Sequence, residues 1–177
     1  LQILWVNLVT DGLPGLALAI EPAERQVMQR PPHPPRENIF GRGMARDILW
    51  IGLLMGLVSL GVGFLYYRID PSASPAVWQT VTFTTLTLAQ MGNALATRSD
   101  RDTLWQIGLF SNKTMLGSVM LTFALQLAVI YVPFLNRAFS TTPLSLRDLL
   151  ISVGFGTIVF LAVESFKWIQ QRQKQQL

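Results

Sequence analysis

Asn7, Thr10 and Asp11 are three oxygen-bearing side chains in a stretch, Leu1 to Ile20, that is otherwise almost wholly apolar. On a helix, positions i, i+3 and i+4 share a face, so the three point the same way. Amide, hydroxyl and carboxylate oxygens gathered at one spot are cation ligands. An ionisable group in hydrocarbon costs roughly 2.5–3.5 kcal/mol even on the lenient scales, so Asp11 needs a reason to be there. Pro14 has no N–H, and its ring clashes with the carbonyl of Thr10 in a regular helix. Gly12 and Gly15 flank it and weaken the helix further. The stretch therefore predicts a break at Gly12–Pro14, an unwound turn with free carbonyls beside a carboxylate. Membrane transporters build cation sites in that form.

The elements that must position these residues are also apolar. Half of the 177 residues are hydrophobic and 14% are charged, against roughly 25% charged in a soluble domain. Five apolar segments lie near residues 1–20, 48–67, 77–96, 114–135 and 149–169, each close to the ~20 residues that cross a bilayer. All read as helices, because an open sheet leaves backbone groups unsatisfied in lipid. The expected fold is an all-α membrane bundle of five transmembrane helices, the first broken at Gly12–Pro14.

Charge sets the orientation. Arg25, Arg30, Arg36, Arg42 and Arg46 follow the first segment; Arg98, Arg101 and Lys113 follow the third; Lys167, Arg172 and Lys174 follow the fifth. Only Arg68, Arg137 and Arg147 lie on the other side. The positive-inside rule assigns the larger set to the cytoplasm. These basic residues border apolar segments and form no nucleic-acid face. With no cysteine, disulfides and thiolate metal sites are excluded. The chain lacks an initiator Met and a signal-peptide pattern and starts inside an apolar segment, so it reads as a piece of a longer protein.

The loop 21–46 holds Pro22, Pro31, Pro32, Pro34 and Pro35 among charges, which favours extended, polyproline-like backbone. It is either a stiff connector or a docking surface for a cytoplasmic partner. His33, alone among these prolines, is an unpromising metal or catalytic group. Gly52, Gly56, Ser59 and Gly63 form a small-residue ridge suited to close helix packing. The Asn112-Lys113-Thr114 sequon is expected to stay unused on the cytoplasmic side. Glu164 and Lys167, at i and i+3, read as a local pair.

The third segment is the other polar one, with Gln79, Thr80, Thr82, Thr84, Thr85, Thr87, Gln90 and Asn93. Threonines in helices bond back to their own carbonyls, so the amides Gln90 and Asn93 are more informative. Interhelical hydrogen bonding accounts for Asn93, and for Gln126 in the fourth segment; Gln90 divides between that role and cation ligation. Pro133 is expected to mark the exit from the fourth segment.

The run Asn7-Leu-Val-Thr-Asp-Gly-Leu-Pro14, continued through Glu21-Pro22 to Arg30-Pro31-Pro32, resembles the sixth transmembrane helix and following loop of P-type cation-transporting ATPases of the calcium-pump type. Gln90-Met-Gly-Asn93-Ala-Leu95 looks like the eighth helix's motif, so the five segments correspond to helices six to ten. By this resemblance Asn7, Thr10 and Asp11 are metal ligands, with Gln90 a further candidate, and Asp11 is shared between the family's two sites. The transported cation is then Ca2+, whose preference for oxygen ligands agrees. ATP and Mg2+ would be bound by domains outside this chain, and loop 21–46 would meet the phosphorylation domain. The partners are therefore the bilayer, the preceding transmembrane helices and that domain.

Where two-calcium pumps of this family carry Glu in the eighth helix, this chain has Gln90, so one site loses a charge. A single ion per cycle becomes an expectation, and Mn2+ or Na+ remain alternatives to Ca2+. No Asp-Lys-Thr-Gly phosphorylation motif occurs in the chain, so by itself it is expected not to hydrolyse ATP. A secondary transporter with a broken-helix ion site is the alternative function. It would be supported by a second copy of the Asn-x-x-Thr-Asp-Gly-x-Pro pattern, which the sequence lacks. A non-transporting membrane scaffold is the remaining reading. Compact loops and a short tail lean towards a bacterial source, which would place the protein in the plasma membrane.

Overall fold

The computed structural model describes residues 1–22, 28, 43–69, 74–99 and 102–175, and the side chains among them as far as Arg172. His33 and nearly all of loop 21–46 lie outside the described residues. Every regular element among the described residues is helical, in the order α1 (Gln2–Trp5), a π-helical turn (Val6–Thr10), α2 (Gly12–Ala19), α3 (Met44–Ile69), α4 (Pro75–Ala96), α5 (Leu104–Ile107), a 3-10 turn (Leu109–Ser111), α6 (Lys113–Tyr131), α7 (Pro133–Phe139) and α8 (Leu146–Gln175). Three helices, α3, α6 and the α8 stretch Leu146–Arg172, are long and apolar enough to cross a membrane. The first segment and α4 fall outside that group, and they carry the polar candidates.

The interruption of the first segment lies one turn earlier than Gly12–Pro14. The Asp11 N–H donates to the Val6 carbonyl five residues back, at 3.1 Å, and closes a π turn over Val6–Thr10. Helix resumes at Gly12 and runs straight through Pro14. Pro14 is the third residue of α2, where the N–H has no intrahelical acceptor in any case. Its missing donor costs little there, and the irregularity is taken up upstream.

The fourth apolar segment also differs from its expected span of 114–135. α6 stops at Tyr131, Val132 is extended, and Pro133 opens the separate helix α7. Pro133 marks the exit as expected, because an X-Pro step pushes the preceding residue out of the helical region.

α4 is the centre of the bundle. Thr80, Val81, Phe83, Thr84, Thr85, Thr87, Ala89, Met91 and Ala96 are buried along it, with α3, α8, α6 and the first segment around it. Met91 meets Ala17, Met115 and Val119; Phe83 meets Val6 and Val129; Ala89 meets Met55 and Val159. α8 approaches through glycine: a Cβ on Gly156 would stand 2.9 Å from Leu88 Cβ and 3.2 Å from the Ala89 nitrogen. The expected ridge on α3 is only half realised. Gly63 packs on Thr82, whereas Gly52 and Gly56 have nothing within 4 Å of where a Cβ would sit.

One end of the bundle is tied by a buried ion pair. Arg98, just beyond α4, has its side chain 1% exposed and places Nη2 2.6 Å from Glu21 Oε1. Arg98 Nε donates to both Glu21 oxygens at 3.1 Å, Nη2 to Ser111 Oγ at 2.6 Å, and Nη1 to the Gly108 carbonyl at 3.3 Å. Gly108 holds φ +87°, a conformation that glycine adopts without cost.

Asn112 caps α6 by accepting from the Met115 N–H at 2.8 Å and donates to Glu21 Oε2 at 2.7 Å. Its amide is thereby committed and buried, so the sequon is sterically closed. Glu164 and Lys167 are more than a local pair. Their charges lie 3.5 Å apart, while Glu164 Oε2 accepts from the Leu104 N–H at 2.8 Å and Lys167 Nζ donates to the Ala96 carbonyl. Together these groups stitch residues 96–112 to α2, α6 and α8.

Burial pushes the Glu21 carboxyl up, but hydrogen bonds from Arg98 and Asn112 and the guanidinium charge outweigh it. The net pKa lies below the ordinary 4.5. A depressed carboxylate stabilises the fold fully above its unfolded value and loses that contribution as pH falls through its folded value. Glu21→Gln should cost about 3–5 kcal/mol near neutral pH, since it leaves a buried guanidinium unpaired. The acid-sensitive part of the melting curve below about pH 4.5 should flatten in that variant. Gly156→Ala should cost about 1–3 kcal/mol by overpacking, whereas Gly52→Ala should be neutral or stabilising by up to about 1 kcal/mol. Thermal unfolding in detergent measures both comparisons.

Candidate functional site

The π turn decides where the first-segment oxygens go. A π turn takes more residues per revolution than an α turn, so Asn7 and Asp11, four apart, stay stacked while Thr10 is carried to one side. Thr10 is buried, at 1% exposure, and faces α4. Asn7 and Asp11 are exposed, and neither side chain makes a hydrogen bond or ion pair among the described residues. The three do not share one orientation, as plain α-helical spacing predicts. They form a step: two free ligand groups on an open face and one hydroxyl against the neighbouring helix.

Gln90 is what that hydroxyl meets. Thr10 Oγ1 lies 2.6 Å from the Val6 carbonyl and 2.6 Å from Gln90 Oε1. A hydroxyl has a single proton and donates to one acceptor at a time. With Thr10 bonded back to Val6, the Gln90 amide satisfies the second contact by presenting its –NH2. With Thr10 bonded to Gln90, the amide oxygen is held at the π turn. Either way Gln90 is held beside Thr10 by an interhelical contact, the packing role expected of an amide in this helix.

Further along α4 the polar side chains continue. Gln126 of α6, 1% exposed, accepts from Trp5 Nε1 at 3.0 Å and donates to Thr84 Oγ1 at 3.4 Å. It is the interhelical bridge expected of it. Asn93 is not one on its oxygen side, because Asn93 Oδ1 is buried with no partner among the described residues. Thr87 Oγ1, one turn before Gln90, is likewise buried and unpartnered.

The local donor set is thus Asn7 Oδ1, Thr10 Oγ1, the Asp11 carboxylate and Gln90 Oε1. All are hard oxygens, and a single carboxylate is among them. No group of three His, Asp or Glu side chains that could hold a metal ion occurs among the described residues. Ca2+ takes about 6–8 oxygens, more than these four side chains supply. The buried Arg98–Glu21 pair was the feature that sequence reading missed. Its one signal was an acidic residue at the end of an apolar segment and a basic residue at the end of another, with nothing in either to pair them.

Comparisons with known proteins bear on the family of the chain. Residues 1–169 match the family described as "Cation transporting ATPase, C-terminus". The chain is 36% identical over 169 residues to calcium-transporting ATPase type 2C member 2 of Rattus norvegicus, covering 94% of this chain and 18% of that protein. It is 35% identical over 158 residues to a calcium-transporting ATPase of Bacillus subtilis (strain 168), covering 89% and 18%. Calcium-transporting ATPase 1 of Yarrowia lipolytica is 34% identical over 169 residues, covering 95% and 18%. The chain therefore spans about a fifth of the length of the relatives it matches. A family match over nearly the whole chain, on a helical bundle with apolar membrane-length helices, makes this chain a member of the cation-transporting P-type ATPases, in their C-terminal membrane domain.

Proposed function

We propose that this chain is the membrane portion of an ATP-driven pump that exports Ca2+ from the cytoplasm, and that Asn7, Thr10, Asp11 and Gln90 supply part of its ion site. The contact between Thr10 and Gln90 carries the reading. It brings Thr10, a candidate ligand, to 2.6 Å from Gln90, the further candidate that lies far off in sequence. The naming of the relatives as calcium-transporting ATPases supports Ca2+ as the cargo.

The bundle then crosses the membrane five times. The first segment and α4 descend to the cytoplasmic side, where Arg98, Glu21 and Asn112 meet and loop 21–46 leaves. That loop docks the phosphorylation domain, and its root at Glu21 is the anchored point through which a shift in the cation site reaches the cytoplasm. ATP and Mg2+ belong to the cytoplasmic domains of the complete pump. The exposed ligand face of Asn7 and Asp11 is completed by oxygens from its other transmembrane helices. In a bacterial cell the pump resides in the plasma membrane.

Chemically, Asp11 supplies the negative charge that offsets dehydration of the cation, while Asn7 and Thr10 supply neutral dipoles at its side. Gln90 supplies a neutral oxygen where a carboxylate would hold a second divalent ion. The site therefore loads one Ca2+ per cycle.

Asp11→Asn in the full-length pump should abolish Ca2+-dependent phosphorylation by ATP while leaving the protein folded. Phosphoenzyme formed at wild-type Ca2+ concentration would refute the ligand role. Equilibrium 45Ca binding should give one ion per wild-type pump, and Gln90→Glu should raise the count towards two. A wild type already holding two ions would defeat the stoichiometry.

A further inference from the structure

A second group of polar side chains sits on the opposite side of α4 from Thr10. Ser59 of α3, Thr85 of α4 and Ser152 of α8 are buried to 2%, 0% and 0% exposure. The hydroxyl of each has no hydrogen-bond partner among the described residues. Thr87 and Thr122 share that state, whereas other threonines of the bundle do not. Thr80, Thr82 and Thr157 each donate back to the carbonyl four residues earlier, at 2.6, 2.8 and 2.7 Å. The hydroxyls of Ser59, Thr85 and Ser152 do not make that bond.

The register puts them at one level. Gly63 of α3 packs on Thr82 of α4; stepping one turn back along α3 reaches Ser59, and one turn forward along antiparallel α4 reaches Thr85. Gly156 of α8 packs on Leu88 and Ala89, and Phe160 on Gly92, so α8 runs parallel to α4. One turn back from Gly156 is Ser152, again beside Thr85. All three residues lie on the buried stripes of their helices, with Met55, Val62 and Gly63 on α3, Ala89 on α4 and Val159 and Val163 on α8. Three helices therefore each carry one such hydroxyl, on a buried stripe, at the same depth.

A buried hydroxyl without a partner is costly in water-free surroundings, and three together are costlier still. None hydrogen-bonds to another, so the three oxygens are not a closed cluster, and a small polar ligand between them would satisfy all three. A cation is a poor fit. Three neutral hydroxyls cannot offset its dehydration, and no group of three His, Asp or Glu lies among the described residues to help. A water molecule suits the chemistry: it makes about three hydrogen bonds in buried sites and seeks otherwise unsatisfied polar groups.

We propose that Ser59, Thr85 and Ser152 hold a single structural water at the junction of α3, α4 and α8. The water pins the three helices to one another. It lies about 7.5 Å along α4 from Gln90, so it holds in register the helix that presents this amide to Thr10. The site is separate from the cation ligands and does not depend on the pump transporting Ca2+.

The test is a map of the full-length pump at a resolution that shows ordered water, with thermal-stability measurements on variants. The map should show one peak at about 2.7–3.0 Å from all three hydroxyl oxygens. A peak at about 2.3–2.6 Å is a cation and overturns the proposal, as do hydroxyls bonded back to their own helix carbonyls with nothing between them. Ser59→Ala and Ser152→Ala should each lower the melting temperature. The double variant should fall no further than the worse single one, because losing one arm already releases the water. Additive losses, or no loss in any variant, overturn it. Thr85→Val, which keeps the shape without the hydroxyl, should match the alanine variants and remove the peak.

Discussion

Arg98 is a permanent cation with almost no access to solvent, and the bundle's end is arranged to satisfy it. Its charge is met by Glu21, and its remaining donors by Ser111 and the Gly108 carbonyl. Glu21 terminates the first segment, Arg98 follows α4, and Asn112 opens α6 while also bonding Glu21. Meeting one guanidinium therefore brings three chain ends together. A buried pair of this kind adds little net stability against an apolar substitute but is expensive to break. Its effect is registry. With those ends fixed, the face of the first segment that carries Thr10 has one place to lie, against Gln90.

α4 serves two environments at once. On one side it offers Thr84, Thr87 and Gln90 to the first segment and α6; on the other it packs through Thr85 and Ala89 against α3 and α8. That divided surface explains why α4 is not apolar enough to be recognised as a spanning helix by hydropathy, although it is the most enclosed helix of the bundle. A helix surrounded by protein has its polar groups met by neighbours, whereas α3 and α8 expose rows of Leu and Ile, as lipid-facing helices do. The polar α4 is the protected helix, whereas the first segment leaves Asn7 and Asp11 exposed.

Much of this was legible in the sequence because hydropathy and periodicity are properties of local chain. The apolar segments, the exit at Pro133, the role of Gln126 and the family likeness of residues 7–14 all depend on residues near one another. The position of the break did not follow. Pro14 and two glycines argue locally for an interruption at their own position, but a proline in the first turn of a helix is cheap, and the π turn upstream absorbs the irregularity. The partners of Arg98, Glu164 and Lys167 were hidden for another reason. Glu21, the Leu104 N–H and the Ala96 carbonyl lie far off in sequence, and a charge at the end of an apolar run looks the same whether it meets headgroups or another helix. The ridge on α3 was half right because small residues permit close approach without requiring it.

The central claim is that Asp11, with Thr10 and Gln90 beside it, forms part of the site for the transported ion. A structure of the full-length pump loaded with Ca2+, at a resolution that locates the ion, tests this most directly. The account predicts one Ca2+ at about 2.3–2.6 Å from an Asp11 carboxylate oxygen, on the face that Asn7 and Asp11 present, with Gln90 still in contact with Thr10. A Ca2+ ion bound elsewhere in the membrane domain, with Asp11 uncoordinated, would contradict it.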